Sequence, residues 1–141
     1  MQQEMLLRQI DRSSAFILDL AQITAQDEGD VGGKSANLGE LRNTLSLPVP
    51  DGFAITAHAY TEFMRAHGLW DEINRQVLAH PMANYILKPD QEDPHPPDAD
   101  EEGNRSIALL ELCARIRKMI LASPLPPELE AEIYAAFARL S

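Results

Sequence analysis

Val31-Gly32-Gly33-Lys34-Ser35-Ala36-Asn37-Leu38-Gly39-Glu40-Leu41 sets a glycine pair directly ahead of a stretch with helical spacing. Leu38, Leu41 and Leu45 recur at i, i+3 and i+7, which places them on one helical face, and Pro48 and Pro50 end the pattern. The spacing predicts a helix that starts just after two glycines. Backbone amides of a glycine turn at a helix start hold phosphate, and a lysine there neutralises it. A P-loop is excluded by spacing. That motif needs four residues between its first glycine and the Gly-Lys pair, but Glu28 stands at the required position and Gly29 leaves only three. By itself Gly-Gly-Lys is also what a plain turn followed by a solvated lysine looks like.

Upstream, Ala15-Phe16-Ile17-Leu18-Asp19-Leu20 reads as a short buried strand, followed by a polar loop through Asp30. Downstream, Gly52-Phe53-Ala54-Ile55-Thr56 reads as a second strand. Thr56 is suited to cap a helix with Tyr60, Phe63, Met64 and His67 on its buried face, stopped by Gly68. Trp70, Ile73, Val77 and Leu78 suggest a further helix ending at His80-Pro81. Between 81 and 105 the composition turns proline-rich and acidic, which predicts a mobile insertion. Helical spacing returns over 106–122 through Leu109, Cys113, Ile116 and Ile120, and a last helix carries Leu129, Ile133, Phe137 and Leu140.

A length of 141 residues and 45% hydrophobic content allow one ordinary globular domain with a real core. The formal net charge of -10 disfavours nucleic acid and anionic lipid, which attract basic surfaces. The start of the chain lacks the unbroken apolar centre of a secretory signal, and no run reaches the length of a membrane span. With Cys113 as the single cysteine no intramolecular disulfide forms, so a cytoplasmic location is expected.

The 31–41 block, then Leu47-Pro-Val-Pro-Asp-Gly-Phe-Ala-Ile-Thr56, then Ala59-Tyr60 and Phe63, closely resembles the start of the ATP-binding domain of the pyruvate phosphate dikinase family. That family includes phosphoenolpyruvate synthase, pyruvate phosphate dikinase and rifampin phosphotransferase. The resemblance resumes at Ile116-Arg-Lys-Met-Ile-Leu-Ala-Ser-Pro-Leu-Pro-Pro-Glu-Leu129 and Ile133-Tyr-Ala-Ala-Phe137, in the manner of the phosphoenolpyruvate synthases. The region 81–105 does not match and looks like a lineage-specific insertion.

The resemblance implies the N-terminal portion of an ATP-grasp domain, of α/β (α+β) class, helix-rich with a small sheet. It implies nucleotide binding by Lys34 against phosphate, with Gly32 and Gly33 letting the backbone approach the ligand. Ser35 stands where many members have glycine. In the parent enzyme it implies ATP-dependent phosphorylation of a histidine and then of pyruvate, with Mg2+ as a cofactor. The acceptor site, the phosphorylated histidine, an arginine strand and the magnesium ligands all belong to parts that this sequence does not match. The chain is therefore expected to be inactive alone, to hold no catalytic or metal residue of its own, and to expose apolar surface that permits a homo-oligomer. The rival is a noncatalytic regulatory or protein-binding module with the same fold.

Other candidates read as structural. His58, His67, His80 and His95 lie outside any glycine-rich histidine motif, and His58 and His67 are too far apart on a helix to share a metal. The acids at 98–102 lack the order of a calcium loop and read as a solvated loop. Cys113 sits on an apolar stripe and reads as a buried thiol; Phe63, Trp70 and Phe137 read as packing residues.

Overall fold

The structure is a computed structural model that describes residues 12–87 and 98–140. The chain divides into two compact units, Met1–Ala66 with Leu125–Ser141, and His67–Pro124.

In the first unit, β1 (Ile17–Asp19) pairs antiparallel with β2 (Phe53–Ile55), in the register Ile17 to Ile55, Leu18 to Ala54 and Asp19 to Phe53. Alternation along the strands turns Leu18 and Ala54 to one face, where both are buried, and leaves Ile55 half exposed on the other. A two-stranded ribbon is marginal alone and needs packing on one face. Leu20 and Ile23 supply it, completing a core cluster with Leu18 and Ala54 against which Ala15 and Val31 pack. Two short 3-10 turns, Leu20–Gln22 and Ala25–Asp27, carry the chain from β1 into α1 (Glu28–Asn43).

Thr56 caps α2 (Ala57–Ala66) as the sequence predicts. Its Oγ1 accepts the Ala59 amide at 3.2 Å and donates to the Ala15 carbonyl at 2.5 Å, so one buried hydroxyl ties the helix start to the segment ahead of β1. The last helix, α6 (Pro127–Arg139), begins with proline at its first position and buries Leu129 and Ala136. Arg139 at its end pairs with Asp19 of β1 at 3.0 Å.

The second unit holds α3 (Leu69–Ala79), α4 (Ala83–Leu87) and α5 (Ala99–Ala122), with Leu69, Met82 and Leu112 buried. The Met82 amide donates to His80 Nδ1 at 3.1 Å, and His80 Nε2 lies 3.2 Å from the Ala108 carbonyl. That pattern fits a ring protonated on Nε2, which pins the α3–α4 turn to α5. His67 Nε2 likewise meets the Pro124 carbonyl at 2.7 Å.

Several packing assignments differ from the sequence reading. Tyr60 and His67 are exposed; the fully buried residues of α2 are Met64, as the sequence predicts, and Ala59, which it did not place in the core. In α5 the buried position is Leu112, and the neighbouring Cys113 is exposed. In α6 it is Ala136, and Phe137 is exposed; Trp70 and Leu78 of α3 are exposed as well. Adjacent helical residues point about 100° apart, so a shift of one position moves a side chain from core to solvent. The acids at 98–102 form a helix start and not a loop. Asp98 is the N-cap, accepting the Glu101 amide at 2.8 Å, and Asp100, Glu101 and Glu102 fill the first turn, where the helix dipole favours negative charge. Of the stretch expected to be a mobile insertion, 83–87 and 99–105 are helical, and 88–97 lie outside the described residues.

Candidate functional site

The glycine pair breaks α1 near its start. Gly32 has φ 78° and ψ 157°, a conformation open almost only to glycine, and the regular helix runs on from Gly33 to Asn43. The regular helix therefore begins at Gly33, one residue ahead of the start after both glycines that the sequence predicts. Amides in the first turn of a helix lack intrahelical acceptors and carry the positive end of its dipole.

The turn is held from below by a loop clamped to the helix. Asn43 Nδ2 donates to both the Leu20 and Ile23 carbonyls at 2.7 Å, and Glu40 Oε2 accepts the Ala25 amide at 3.0 Å. Gly39 lies so close to Ile23 that no side chain fits between them. Ahead of the turn, Asp27 Oδ2 accepts the Thr24 amide at 2.7 Å and pairs with Arg12 at 3.0 Å, while Arg12 also reaches the Gln22 carbonyl at 2.6 Å. Arg42 pairs with Asp51 and so joins α1 to the segment entering β2. Gly39, Glu40 and Asn43 thus orient the turn. Their carbonyl- and amide-binding roles were not assigned from the sequence, although Gly39 and Glu40 lie within the quoted block.

Lys34 follows the kink, is exposed, and has no ion pair with any described residue. Gly32 has open space on its side-chain side, and a Cβ on Gly33 would meet only the Glu28 carboxylate, at 3.1 Å. The turn is accessible from solvent and flanked by Glu28 and Asp30, and Lys34 brings a positive charge to it. An open cleft of about 400 Å³, lined by Arg12, Ser14, Phe16, Leu18, Gln22 and Glu132 among others, includes none of Gly32, Gly33 and Lys34. The perturbed titrating groups lie elsewhere, in the Glu62–Arg65 and Glu72–Arg75 pairs on α2 and α3. Among the described residues no three His, Cys, Asp or Glu side chains gather into a metal site, and no helix is long and apolar enough to cross a membrane.

The family model described as pyruvate phosphate dikinase, AMP/ATP-binding domain, matches residues 28–141 and so takes in the glycine turn, Lys34 and the α1 side of the clamp, Gly39, Glu40 and Asn43. The chain belongs to that family. Within it, the chain is 36% identical over 132 residues to a probable phosphoenolpyruvate synthase of Staphylothermus marinus, covering 94% of this chain and 13% of the relative. It is 33% identical to the phosphoenolpyruvate synthase of Escherichia coli, covering 92% of this chain and 14% of the relative. A rifampicin phosphotransferase of a Streptomyces species is 31% identical, with 90% and 12% covered. The chain spans about one eighth of the length of these curated relatives of the dikinase ATP-binding family.

Proposed function

We propose that this chain is the N-terminal nucleotide-binding portion of a phosphoenolpyruvate synthase-like enzyme, a pyruvate, water dikinase that uses ATP to phosphorylate a histidine and then pyruvate. The observation that carries the reading is the Gly32-Gly33-Lys34 turn, with its glycine-only backbone at Gly32 and an exposed lysine that has no ion pair among the described residues, inside the segment matched by an AMP/ATP-binding family. Phosphoryl transfer in such a site depends mainly on positioning and charge neutralisation. Lys34 would offset phosphate charge, and Gly32 and Gly33 would allow the backbone amides to approach the phosphate oxygens. The clamp of Asn43, Glu40 and Gly39 would keep the turn in place before the nucleotide arrives.

In this reading the two-stranded sheet and its helices are part of an ATP-grasp domain, and pyruvate or phosphoenolpyruvate is bound by other domains of a cytoplasmic enzyme. Mg2+ is the expected companion of ATP because it offsets phosphate charge. Among the described residues no three His, Cys, Asp or Glu side chains gather to hold it. The rifampicin phosphotransferase relative supports a second reading in which the phosphoryl acceptor is an antibiotic, chosen by domains outside this chain. A noncatalytic module of the same fold is the third. Calorimetric titration of the longer protein with magnesium-ATP and magnesium-GTP tests the nucleotide site that the first two readings share: saturable binding of the adenine nucleotide supports it and no binding of either rejects it, while ATP consumption dependent on pyruvate or on the antibiotic tells those two readings apart.

A further inference from the structure

Helix α1 has two unlike faces. Ala36, Gly39 and Asn43 face Ile23 and the clamped loop, and Ala36 and Gly39 are buried. With about 3.6 residues per turn, Lys34, Leu38 and Leu41 fall roughly opposite them, and Leu45 and Leu47 follow in the turn after the helix, their amides bonded back to the Glu40 and Leu41 carbonyls at 3.2 and 2.9 Å. The sequence places Leu38, Leu41 and Leu45 on one helical face; Leu38 is 43% exposed, Leu45 59% and the following Leu47 48%, and Leu41 is half-buried. From Gly33 to Leu47 the only carboxylate is Glu40, and it is turned to the loop side by the Ala25 amide. The outer face is therefore apolar and free of acid in a chain of net charge -10. A solvent-facing helix is normally polar on that side, and a contiguous exposed apolar stripe marks a contact surface.

Resting on the reading of this chain as part of a larger enzyme, we infer that the Leu38–Leu41–Leu45 face is a docking surface covered by an apolar layer from polypeptide outside residues 1–141, with Lys34 at the rim of the seam. The length argument supports that occupant, because relatives matched over nearly this whole chain are about eight times longer. A second copy of the chain fits less well. Each copy carries the same strong negative charge, and the face offers no carboxylate to meet the partner's lysine. A nucleotide accounts for Lys34 but not for leucines extending about 10 Å further along the helix axis. In that arrangement α1 is a wedge packed on both sides, with Lys34 at its edge.

Thiol labelling by maleimide, read by peptide mass spectrometry, tests this in the longer protein and in the 141-residue chain, both with Leu38→Cys. Ala36→Cys, at a position 2% exposed, reports that the short chain is folded. The expected result is labelling of Leu38→Cys at least tenfold slower in the nucleotide-free longer protein than after unfolding in urea. In the short chain Leu38→Cys labels at the unfolded rate and Ala36→Cys stays protected. Equal rates for Leu38→Cys in the folded and unfolded longer protein overturn the proposal. So does protection that appears only with ATP, which assigns the face to nucleotide, or protection in the short chain that fades on dilution, which assigns it to a second copy. A reading frame ending at Ser141 also overturns it. Loss of ATP binding to Lys34→Ala is independent of every one of these outcomes, so failure here leaves the nucleotide site standing.

Discussion

Gly39 and Ile23 approach so closely that a Cβ on Gly39 would sit 2.4 Å from the Ile23 carbonyl oxygen and 2.7 Å from its Cγ2. The contact is backbone against backbone, so no rotamer change relieves it. It lets the loop ahead of the glycine turn lie flat on α1, where Asn43 and Glu40 bind its carbonyls and amide.

Gly39→Ala is expected to lower stability by about 1–3 kcal/mol or to prevent folding, since an added methyl in a filled contact must displace main chain. Urea unfolding followed by circular dichroism checks it. A change within experimental error would mean that the loop does not touch the helix there.

Asn43→Asp is expected to cost more than Asn43→Ala. Alanine leaves the Leu20 and Ile23 carbonyls without their donor, about 1–3 kcal/mol. Aspartate of nearly the same shape adds an anion facing two carbonyl oxygens. Matched unfolding curves at neutral pH give the order, and equal stability of Asp and wild type would remove the clamp.

The two glycines at the start of α1 should respond in opposite directions. Gly32→Ala forces a side chain into a glycine-only conformation, at a cost of about 1–3 kcal/mol, even though space is open around it. Gly29 has helical neighbours, no positive φ and equally open space, so Gly29→Ala should be neutral or slightly stabilising. Thermal unfolding of both variants measures the contrast, and similar behaviour would contradict the kink.

Glu72 accepts hydrogen bonds from Arg75 Nε at 2.9 Å and from Gln76 Nε2 at 2.8 Å, and Arg75 first, then Gln76, holds its carboxyl down at about 2. A depressed folded pKa means that the pair contributes to stability above the ordinary value of 4.5, and that this contribution is lost as pH falls from there toward 2. The site is open to solvent, so salt weakens the effect. Carbon-13 titration should find the Glu72 carboxyl titrating near 2 and returning toward 4.5 in Arg75→Gln. An unshifted wild-type midpoint would show that the pair is not formed.

The parts of the fold legible in the sequence are those where one residue type has one physical use. The glycine pair marked the helix start because the backbone at Gly32 excludes other residues, and Thr56 marked the next helix because a threonine hydroxyl caps well. The inward face of α1 was not legible. Large apolar residues are the usual signal for a core, but here close approach selects Ala36 and Gly39, and the leucines face outward. Cys113 and Phe137 were misplaced by a single position, since Leu112 and Ala136 fit the same helical period. At 98–102 the cap and first-turn acids were present in the sequence, but the surrounding prolines pointed to a loop. The sequence named Gly32, Gly33 and Lys34, which stand together at the kink of α1, but the clamp beneath them was not legible, because a clamp on backbone carbonyls leaves no compositional trace.

The central claim is that Lys34 carries nucleotide phosphate at the glycine turn. Calorimetric titration of magnesium-ATP into the full-length protein and its Lys34→Ala variant tests it most directly, with thermal unfolding of both to establish that the fold is unchanged. Loss of a charge-assisted contact predicts affinity weaker by about tenfold or more in the variant, at equal stability. Equal affinity in the two proteins would contradict the account and take Lys34 out of the site.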